Sequence, residues 1–167
     1  MPFFSSLPAD AGVRHILQLN KSAGHSLIEF HQALLRGDSP LKPAQLELLA
    51  AYVSGLNACQ YCYGVHSETA KSFGLAEGAL EALLADVNSA PVDPKMRPLL
   101  AYAKKLAVSP TRMTQANADA VFAAGWSERA LHDAVLTICL FNFMNRLLEG
   151  HCCKVAPEIY ATRGKAL

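Results

Sequence analysis

The chain has 167 residues, which is enough for one hydrophobic core and too few for two full-sized domains, so we expect a single domain over residues 1–167. Hydrophobic residues make up 51% of the sequence and charged residues only 17%, against about 25% in typical soluble domains, so we expect part of the apolar surface to contact a second subunit. The formal net charge is +1, and no cluster of lysine or arginine is present to attract nucleic acid or an anionic membrane. These values argue against nucleic-acid and membrane partners.

The N-terminal segment and the cysteine usage indicate the cellular compartment. Residues 1–13 contain no lysine or arginine and only a short apolar pair, Phe3 and Phe4, so they lack the pattern of a signal peptide. No apolar run reaches the roughly 18 residues that span a bilayer. The cysteines number five, an odd count that argues against a secreted disulfide framework. We therefore expect a cytoplasmic protein whose thiols are Cys59, Cys62, Cys139, Cys152 and Cys153.

Alanine and leucine greatly outnumber valine and isoleucine, which predicts an all-α fold, a bundle of about eight helices. Gly24 and the segment 37–40 are expected to break the chain between helices. Asn57 and Gln60 have the spacing of a capping box, so one helix should begin near Ala58, with Cys59 in its first turn. The predicted helices are Pro8–Asn20, His25–Arg36, Pro43–Gly55, Ala58–Gly74, Ala76–Asp86, Pro94–Ser109, one capped by Thr114, and one from Ser127 to about Glu149.

Cys59, Cys62 and His66 form the most informative pattern in the sequence. On a helix that turns about 100° per residue, spacings of three and four place these side chains within about 60° of one another. We therefore expect the two sulfurs and the imidazole to meet at an apolar interior or its edge. The opposite face of the helix is expected to contact solvent, and it carries Gln60, Gly64, Ser67, Glu68 and Lys71.

This set of side chains can carry out thiol chemistry. Two cysteines in C-x-x-C spacing can close a disulfide, and a thiolate is stabilised near a helix N-terminus or beside an imidazole. His66 follows Cys62 by one turn, and an imidazole can take a proton from a sulfur and return it near neutral pH. Glu47 is the only charged residue between Pro43 and Asn57, and a lone carboxylate on such an apolar helix needs a partner. An imidazole on the next helix would be a suitable one.

Two structural interpretations of the same pattern stay open at this point. The two cysteines can simply be small core residues. Alternatively, Cys59, Cys62 and His66 can be three ligands of a zinc ion, with Glu47 or His151 as the fourth ligand. Either interpretation would make the chain a structural or metal-binding oligomer instead of a redox enzyme. A helical dithiol can also serve as a disulfide isomerase or a redox sensor, and these alternatives stay open as well.

The remaining cysteines carry weaker signals. Cys139 lies in the charge-free segment 134–144, which predicts a place in the packed core or in a subunit interface. Cys152 and Cys153 are adjacent, and a disulfide between neighbours is strained, so we interpret them as bystander thiols. Phosphate-binding loops and the H-E-x-x-H metal motif are absent from the sequence.

Glu47, Cys59, Cys62 and His66 together resemble the Glu…C-x-x-C-x-x-x-His signature of the AhpD-like alkylhydroperoxidases, in the carboxymuconolactone decarboxylase superfamily. Within that superfamily the chain is most similar to the peroxidase-related group. The motif covers about residues 41–74. The resemblance implies an AhpD-like all-α fold, often internally duplicated, a homo-oligomer, and no metal or organic cofactor. The true decarboxylases of the superfamily lack the cysteine pair, so lactone decarboxylation is not expected.

The activity that the resemblance implies is reduction of a small hydroperoxide. Cys62 would be the peroxidatic cysteine, oxidised to a sulfenic acid, and Cys59 the resolving cysteine that closes the disulfide. His66 and Glu47 would form the proton relay of Cys62, and a lipoyl-type or thioredoxin-like dithiol would restore the thiols. Position along the helix dipole, by contrast, favours Cys59 as the more acidic thiol. AhpD proteins have a histidine directly before the second cysteine, where this chain has Tyr61, a hydrogen-bond donor that is not a base near neutral pH.

Overall fold

The computed structural model describes residues 1–155 and 158–164. Within these ranges the chain forms nine α-helices and two short 3-10 turns, at Pro94–Met96 and Pro110–Arg112, and no β-strand. The predicted all-α class is confirmed. The helices are α1 (Val13–Gln18), α2 (Lys21–Arg36), α3 (Pro43–Leu56), α4 (Gln60–Ser72), α5 (Ala79–Ala85), α6 (Arg97–Val108), α7 (Gln115–Ala123), α8 (Glu128–Gly150) and α9 (Glu158–Gly164).

Several predicted helix ends agree with the structure because local capping chemistry sets them. Pro43 opens α3, where its missing N–H costs nothing and its fixed φ suits the helix. Thr114 and Ser127 are the N-caps of α7 and α8, and the Ser127 hydroxyl accepts a hydrogen bond from the backbone N–H of Ala130. Pro94 was expected to open a helix directly, but it begins a 3-10 turn that leads into α6.

The prediction that Gly24 breaks the chain is wrong. Helix α2 begins three residues earlier, after Asn20, whose side chain accepts a hydrogen bond from the backbone N–H of Ala23 at 3.2 Å. Gly24 is instead a point of close approach, because a Cβ atom there would lie 2.2 Å from the carbonyl oxygen of Leu17. Glycine is thus required by packing between α1 and α2, which a single sequence does not distinguish from a helix break.

Helix α3 lies at the centre of the protein, in contact with α2, α4, α5, α6 and α8. All nine residues from 46 to 54 are buried, including Glu47 and Ser54. A helix that is apolar on every side is expected to be surrounded by other helices. Its only charged residue must therefore find its partners inside the protein.

The junction between α3 and α4 differs from the expected capping box. Asn57 ends α3, Ala58 adopts a left-handed conformation with φ of 54°, and Cys59 is the N-cap of α4. The Asn57 side chain is free of the helix start because it reaches α8, where it donates to the side-chain oxygens of Asn142 at 3.2 Å and Asn145 at 2.9 Å. Cys59 therefore precedes the first turn of α4 instead of lying within it.

Helix α9 covers much of the face of α4 that was expected to contact solvent, and the sequence did not predict this helix. The ring of Tyr160 packs on Gly64, where a Cβ atom would lie only 2.5 Å from ring carbons. The Thr69 hydroxyl donates to the carbonyl oxygen of Gly164 at 3.0 Å, and Ser67 is buried. The polar face of α4 is thus covered in part by the short helix α9.

Of the two places predicted for Cys139, the packed core is wrong, because its side chain is exposed on α8, and the subunit interface stays a prediction. Phe141 and Met144 on the same helix are buried, while Phe143 is 52% exposed. Across the part of the chain that the structure describes, no helix combines the length and the apolar character that crossing a bilayer requires.

Candidate active site

The pairing of Glu47 with an imidazole on the next helix is present in the structure. Oε2 of Glu47 lies 2.6 Å from Nδ1 of His66, and both side chains are buried. A carboxylate only accepts hydrogen bonds, so Nδ1 carries the hydrogen that joins the two groups. In the neutral imidazole this leaves Nε2 as the nitrogen that can take up a proton.

Arg36 is a third member of this cluster that the sequence analysis missed. Its Nη2 donates to Oε1 of Glu47 at 2.5 Å, so each carboxylate oxygen has its own donor. Burial raises the pKa of Glu47, but the hydrogen bonds and charges of His66 and Arg36 outweigh burial and hold this pKa below its ordinary value. The guanidinium therefore balances the charge of the buried carboxylate.

The ring of His66 is fixed on its apolar side by Phe141 of α8. The two ring centroids lie 4.5 Å apart with an interplanar angle of 82°, an edge-to-face arrangement that aromatic pairs favour. Together with the bond from Nδ1 to Glu47, this contact leaves the imidazole little freedom to rotate. A ring held in this way keeps its second nitrogen in a fixed place.

The two motif cysteines are reduced, buried and in contact with each other. The Cys62 thiol donates a hydrogen bond to the Cys59 sulfur, which lowers the pKa of Cys59 against the opposing effect of burial. The same hydrogen bond, and then burial, raises the pKa of Cys62 well above its ordinary value. In the resting pair, negative charge is therefore favoured on Cys59, at the start of α4, in agreement with the helix-dipole argument.

A cavity of about 450 Å³ reaches the site between α1, α2, α4, α8 and α9. Cys62 and His66 line this cavity, whereas Cys59 and Glu47 do not, and the latter two are completely buried. Only one of the two sulfurs is therefore presented to a small molecule. Most of the wall is apolar, and it includes Leu17, Leu27, Ile28, Val65, Phe141 and Met144.

His31 of α2 is a second imidazole on the cavity wall, and no sequence signal pointed to it. Its ring centroid lies 6.0 Å from that of His66. Burial, followed by the nearby charge of His66, lowers the pKa of His31 to about 4. His31 is thus neutral near neutral pH and adds no charge beside the thiols.

The position directly before the second cysteine is also part of the cavity wall. The hydroxyl of Tyr61 accepts a hydrogen bond from Nη1 of Arg163 at 2.8 Å and a longer one from the backbone N–H of Val13 at 3.4 Å. Arg163 belongs to α9, so this contact joins α9 to α4, the helix that carries the cysteine motif.

The zinc interpretation receives no support from the arrangement of side chains. In residues 1–155 and 158–164, no group of three or more His, Cys, Asp or Glu side chains is placed to hold a metal ion. His66 uses Nδ1 for Glu47, and His151 places its Nδ1 2.8 Å from the backbone oxygen of Leu147.

Comparison with solved structures shows the fold. A peroxidase-related protein from Silicibacter sp. TM1040 is 22% identical, covers 90% of this chain and 80% of its own, and superposes with a TM-score of 0.80. An AhpD-core peroxidase-related protein from Ralstonia eutropha JMP134 is 19% identical, covers 92% of this chain and 80% of its own, with a TM-score of 0.82. The debrominase Bmp8 in complex with 2,3,4-tribromopyrrole is 16% identical, covers 89% of this chain and 81% of its own, with a TM-score of 0.74.

Comparison at the level of sequence families agrees with the fold. No curated protein matches the chain significantly. The family model of the carboxymuconolactone decarboxylase family matches residues 22–105, just over half of the chain, a range that includes Arg36, Glu47, both motif cysteines and His66. The chain therefore belongs to the carboxymuconolactone decarboxylase family, as a member with the AhpD-like fold.

Proposed function

We propose that the protein is a thiol-dependent peroxidase that reduces organic hydroperoxides through Cys59 and Cys62. The observation that carries this proposal is that one sulfur of a contacting dithiol, Cys62, lines a mainly apolar cavity together with His66, whose other nitrogen is held by Glu47. A nucleophile, a proton acceptor and a group that orients the acceptor thus share one site. Its apolar wall suits an organic peroxide better than hydrogen peroxide.

Access and charge favour different cysteines as the attacking one. Charge favours Cys59, but this sulfur is sealed from the cavity, while Cys62 is presented to it. A sulfur that a peroxide cannot reach cannot attack it, whatever its pKa. We therefore assign the attack to Cys62, with its thiol proton passing to His66 as the peroxide binds.

The proposed reaction balances as follows. The Cys62 thiolate attacks the terminal oxygen of the hydroperoxide, the O–O bond breaks, and the alcohol leaves with the proton returned by His66. The sulfur of Cys59 then attacks the sulfenic acid of Cys62, the S–S bond forms, and water leaves. An external dithiol, lipoyl-type or thioredoxin-like, reduces the disulfide. Two thiols and one hydroperoxide give one disulfide, one alcohol and one water.

The test is intact mass and peptide mapping after thiol alkylation, with and without one equivalent of cumene hydroperoxide. We expect two alkylation sites, Cys59 and Cys62, to disappear and to return with a dithiol. Cys59→Ser should leave a sulfenic acid on Cys62 that dimedone traps, and Cys62→Ser should not consume peroxide. Cys139→Ser, which removes an exposed thiol outside the cavity, is the matched control and should react normally. Normal peroxide consumption by Cys62→Ser would exclude the proposal.

Reductive dehalogenation is a second candidate, favoured by the likeness to the debrominase Bmp8 and by a cavity large enough for a halogenated aromatic ring. The same dithiol would supply two electrons, so that a C–Br bond becomes C–H, bromide leaves, and the disulfide forms. Release of bromide from 2,3,4-tribromopyrrole by the reduced protein, with no oxidation by cumene hydroperoxide, would favour this activity over peroxide reduction. Cys62→Ser should abolish either reaction.

A further inference from the structure

We infer that the substrate of this cavity is an apolar organic anion, and that Tyr61 and Arg163 bind its carboxylate group. The inference deepens the proposed function and rests on it in one respect, since the other end of the bound molecule is taken to reach Cys62. The observations that carry it are the hydrogen bonds of the Tyr61 hydroxyl, the guanidinium of Arg163, which no carboxylate of the described residues contacts, and the composition of the cavity wall.

The hydroxyl of Tyr61 is arranged to donate into the cavity. Its oxygen accepts hydrogen bonds from Nη1 of Arg163 and from the backbone N–H of Val13, which occupy its two acceptor positions. No acceptor for its own hydrogen lies within hydrogen-bond distance among the described residues. A phenol with both acceptor positions filled can bind a further group only as a donor, so it recognises an oxygen atom of a ligand.

Arg163 adds a charge that no carboxylate of the described residues balances nearby. Within residues 1–155 and 158–164, no carboxylate lies within 4 Å of its guanidinium, which contacts the Tyr61 hydroxyl and, at 3.4 Å, the backbone oxygen of Asp10. Glu47 shows the contrasting case, since it is balanced by Arg36 and His66. A guanidinium with unused N–H groups beside a phenolic donor is suited to hold a carboxylate.

The rest of the cavity determines the remainder of the ligand. No aspartate or glutamate of the described chain lines it, so an anion meets no opposing charge. Arg14 and His15 of α1 also line the cavity near Gly12, and a Cβ atom at Gly12 would clash with both Arg163 and the Tyr61 hydroxyl. Beyond these donors the wall is mainly apolar as far as Cys62 and His66, with His31, Gln32 and Thr162 as its further polar residues. The ligand that fits is therefore an apolar body with an acidic group at one end.

The experiment measures binding without any peroxide chemistry. The ligands are 4-isopropylbenzoate and its methyl ester, a matched anionic and neutral pair, titrated calorimetrically into the reduced full-length chain at pH 7.5. We expect the anion to bind about tenfold more tightly than the ester, the scale of one hydrogen bond to a charged group. Arg163→Met, which keeps the length of the side chain, should remove this preference, and Tyr61→Phe should reduce it.

Arg112→Met is the matched control, because Arg112 is an exposed arginine outside the cavity, and it should leave the preference unchanged. Equal binding of anion and ester, or a preference that survives Arg163→Met, overturns the inference. If Arg163→Met weakens the binding of anion and ester by the same factor, the inference is also overturned, since Arg163 would then only stabilise the position of α9. The two ligands contain no peroxide, so this test is independent of the proposed function. If the anion binds more tightly than the ester but peroxide does not oxidise Cys59 and Cys62, the proposed function is refuted and the inference on the anion stands.

Discussion

Arg36 and His66 bind opposite oxygens of the Glu47 carboxylate, at 2.5 and 2.6 Å, from α2 and α4 on either side of α3. The carboxylate is completely buried, so its two partners replace all of its hydration. This three-residue cluster joins α4, which carries the cysteine motif, to a cation of α2 that the motif does not contain. Substitutions in this cluster should therefore change both the free energy of unfolding and the reactivity of the thiols.

Removing Arg36 should reduce both stability and the rate of thiol oxidation. In Arg36→Met the buried Glu47 keeps one partner, which costs about 1.5–3 kcal/mol of unfolding free energy for a lost hydrogen bond to a charged group. The carboxylate that orients the His66 ring would then be held on one side only, so the acceptor of the Cys62 proton would be less well placed and oxidation should slow. Stopped-flow oxidation of the thiols and urea unfolding measure the two effects. Arg36→Lys keeps the charge and should recover most of the rate, whereas an unchanged rate in Arg36→Met would show that Arg36 is only structural.

Glu47→Gln should change how stability depends on acid. The pKa of Glu47 is lowered in the folded protein, so its contribution to stability is present above the ordinary value of 4.5 and is lost as the pH falls through the folded pKa. The wild-type protein should therefore lose stability below about pH 4.5 more steeply than Glu47→Gln. Urea unfolding between pH 3 and 7 tests this, and identical slopes for the two proteins would contradict it.

His31 should control a separate pH window. The unfolded imidazole takes up a proton below about pH 6.5, but the folded one does so only below about pH 4. The unfolded state binds more protons between these values, so stability falls as the pH drops from 6.5 to 4, by about 3 kcal/mol at most. His31→Gln should flatten the unfolding free energy across this window. His132→Gln, at an exposed position of α8, should leave the pH dependence as it is in the wild type.

The buried side-chain amide of Asn145 should contribute strongly to the free energy of unfolding. It donates to the Ser54 hydroxyl at 2.9 Å and accepts from Asn57 at 2.9 Å, which joins α8 to the α3–α4 junction. Asn145→Ala leaves both partners without this bond and should cost about 2–3 kcal/mol. Asn142→Ala removes the longer contact to Asn57, at 3.2 Å, and the contacts of Asn142 to Ile138 and Arg146 on its own helix, and it is expected to cost less because Asn142 is only partly buried. Chemical denaturation of the two variants measures the difference.

Gly64→Ala should displace α9 from α4. A methyl group at this position would lie 2.5 Å from the Tyr160 ring, and overpacking of this kind costs about 1–3 kcal/mol. Hydrogen exchange over residues 158–164 should become faster, with the rest of the chain little changed. Gly150→Ala is the control, because nothing lies within 4 Å of its added carbon. Equal protection of α9 in both variants would show that the ring moves aside without cost.

The sequence by itself determined the helical class and the core of the candidate site, and the reason is local. Cys59, Cys62 and His66 are within two turns of one another, so helical spacing alone brings them to one side of α4. Glu47 could be paired with His66 because a charge-poor helix must satisfy its single carboxylate internally. The caps at Thr114 and Ser127 were also predictable, since a cap depends only on the next few residues.

Only the tertiary structure decided what surrounds this core. Arg36, His31 and Arg163 come from α2 and α9, and nothing in their local sequence distinguishes them from surface residues. Cys139 lies in the apolar pattern of α8 yet is exposed. Such a pattern shows which residues can be buried, but burial also requires that another segment of the chain packs on them. Tertiary contacts also decide which sulfur a small molecule can reach. The hydrogen bond from Cys62 favours negative charge on Cys59, but the five helices around the cavity leave only Cys62 on its wall. Helical periodicity fixes the direction of a side chain, but the identity of its partner depends on contacts between segments far apart in the chain.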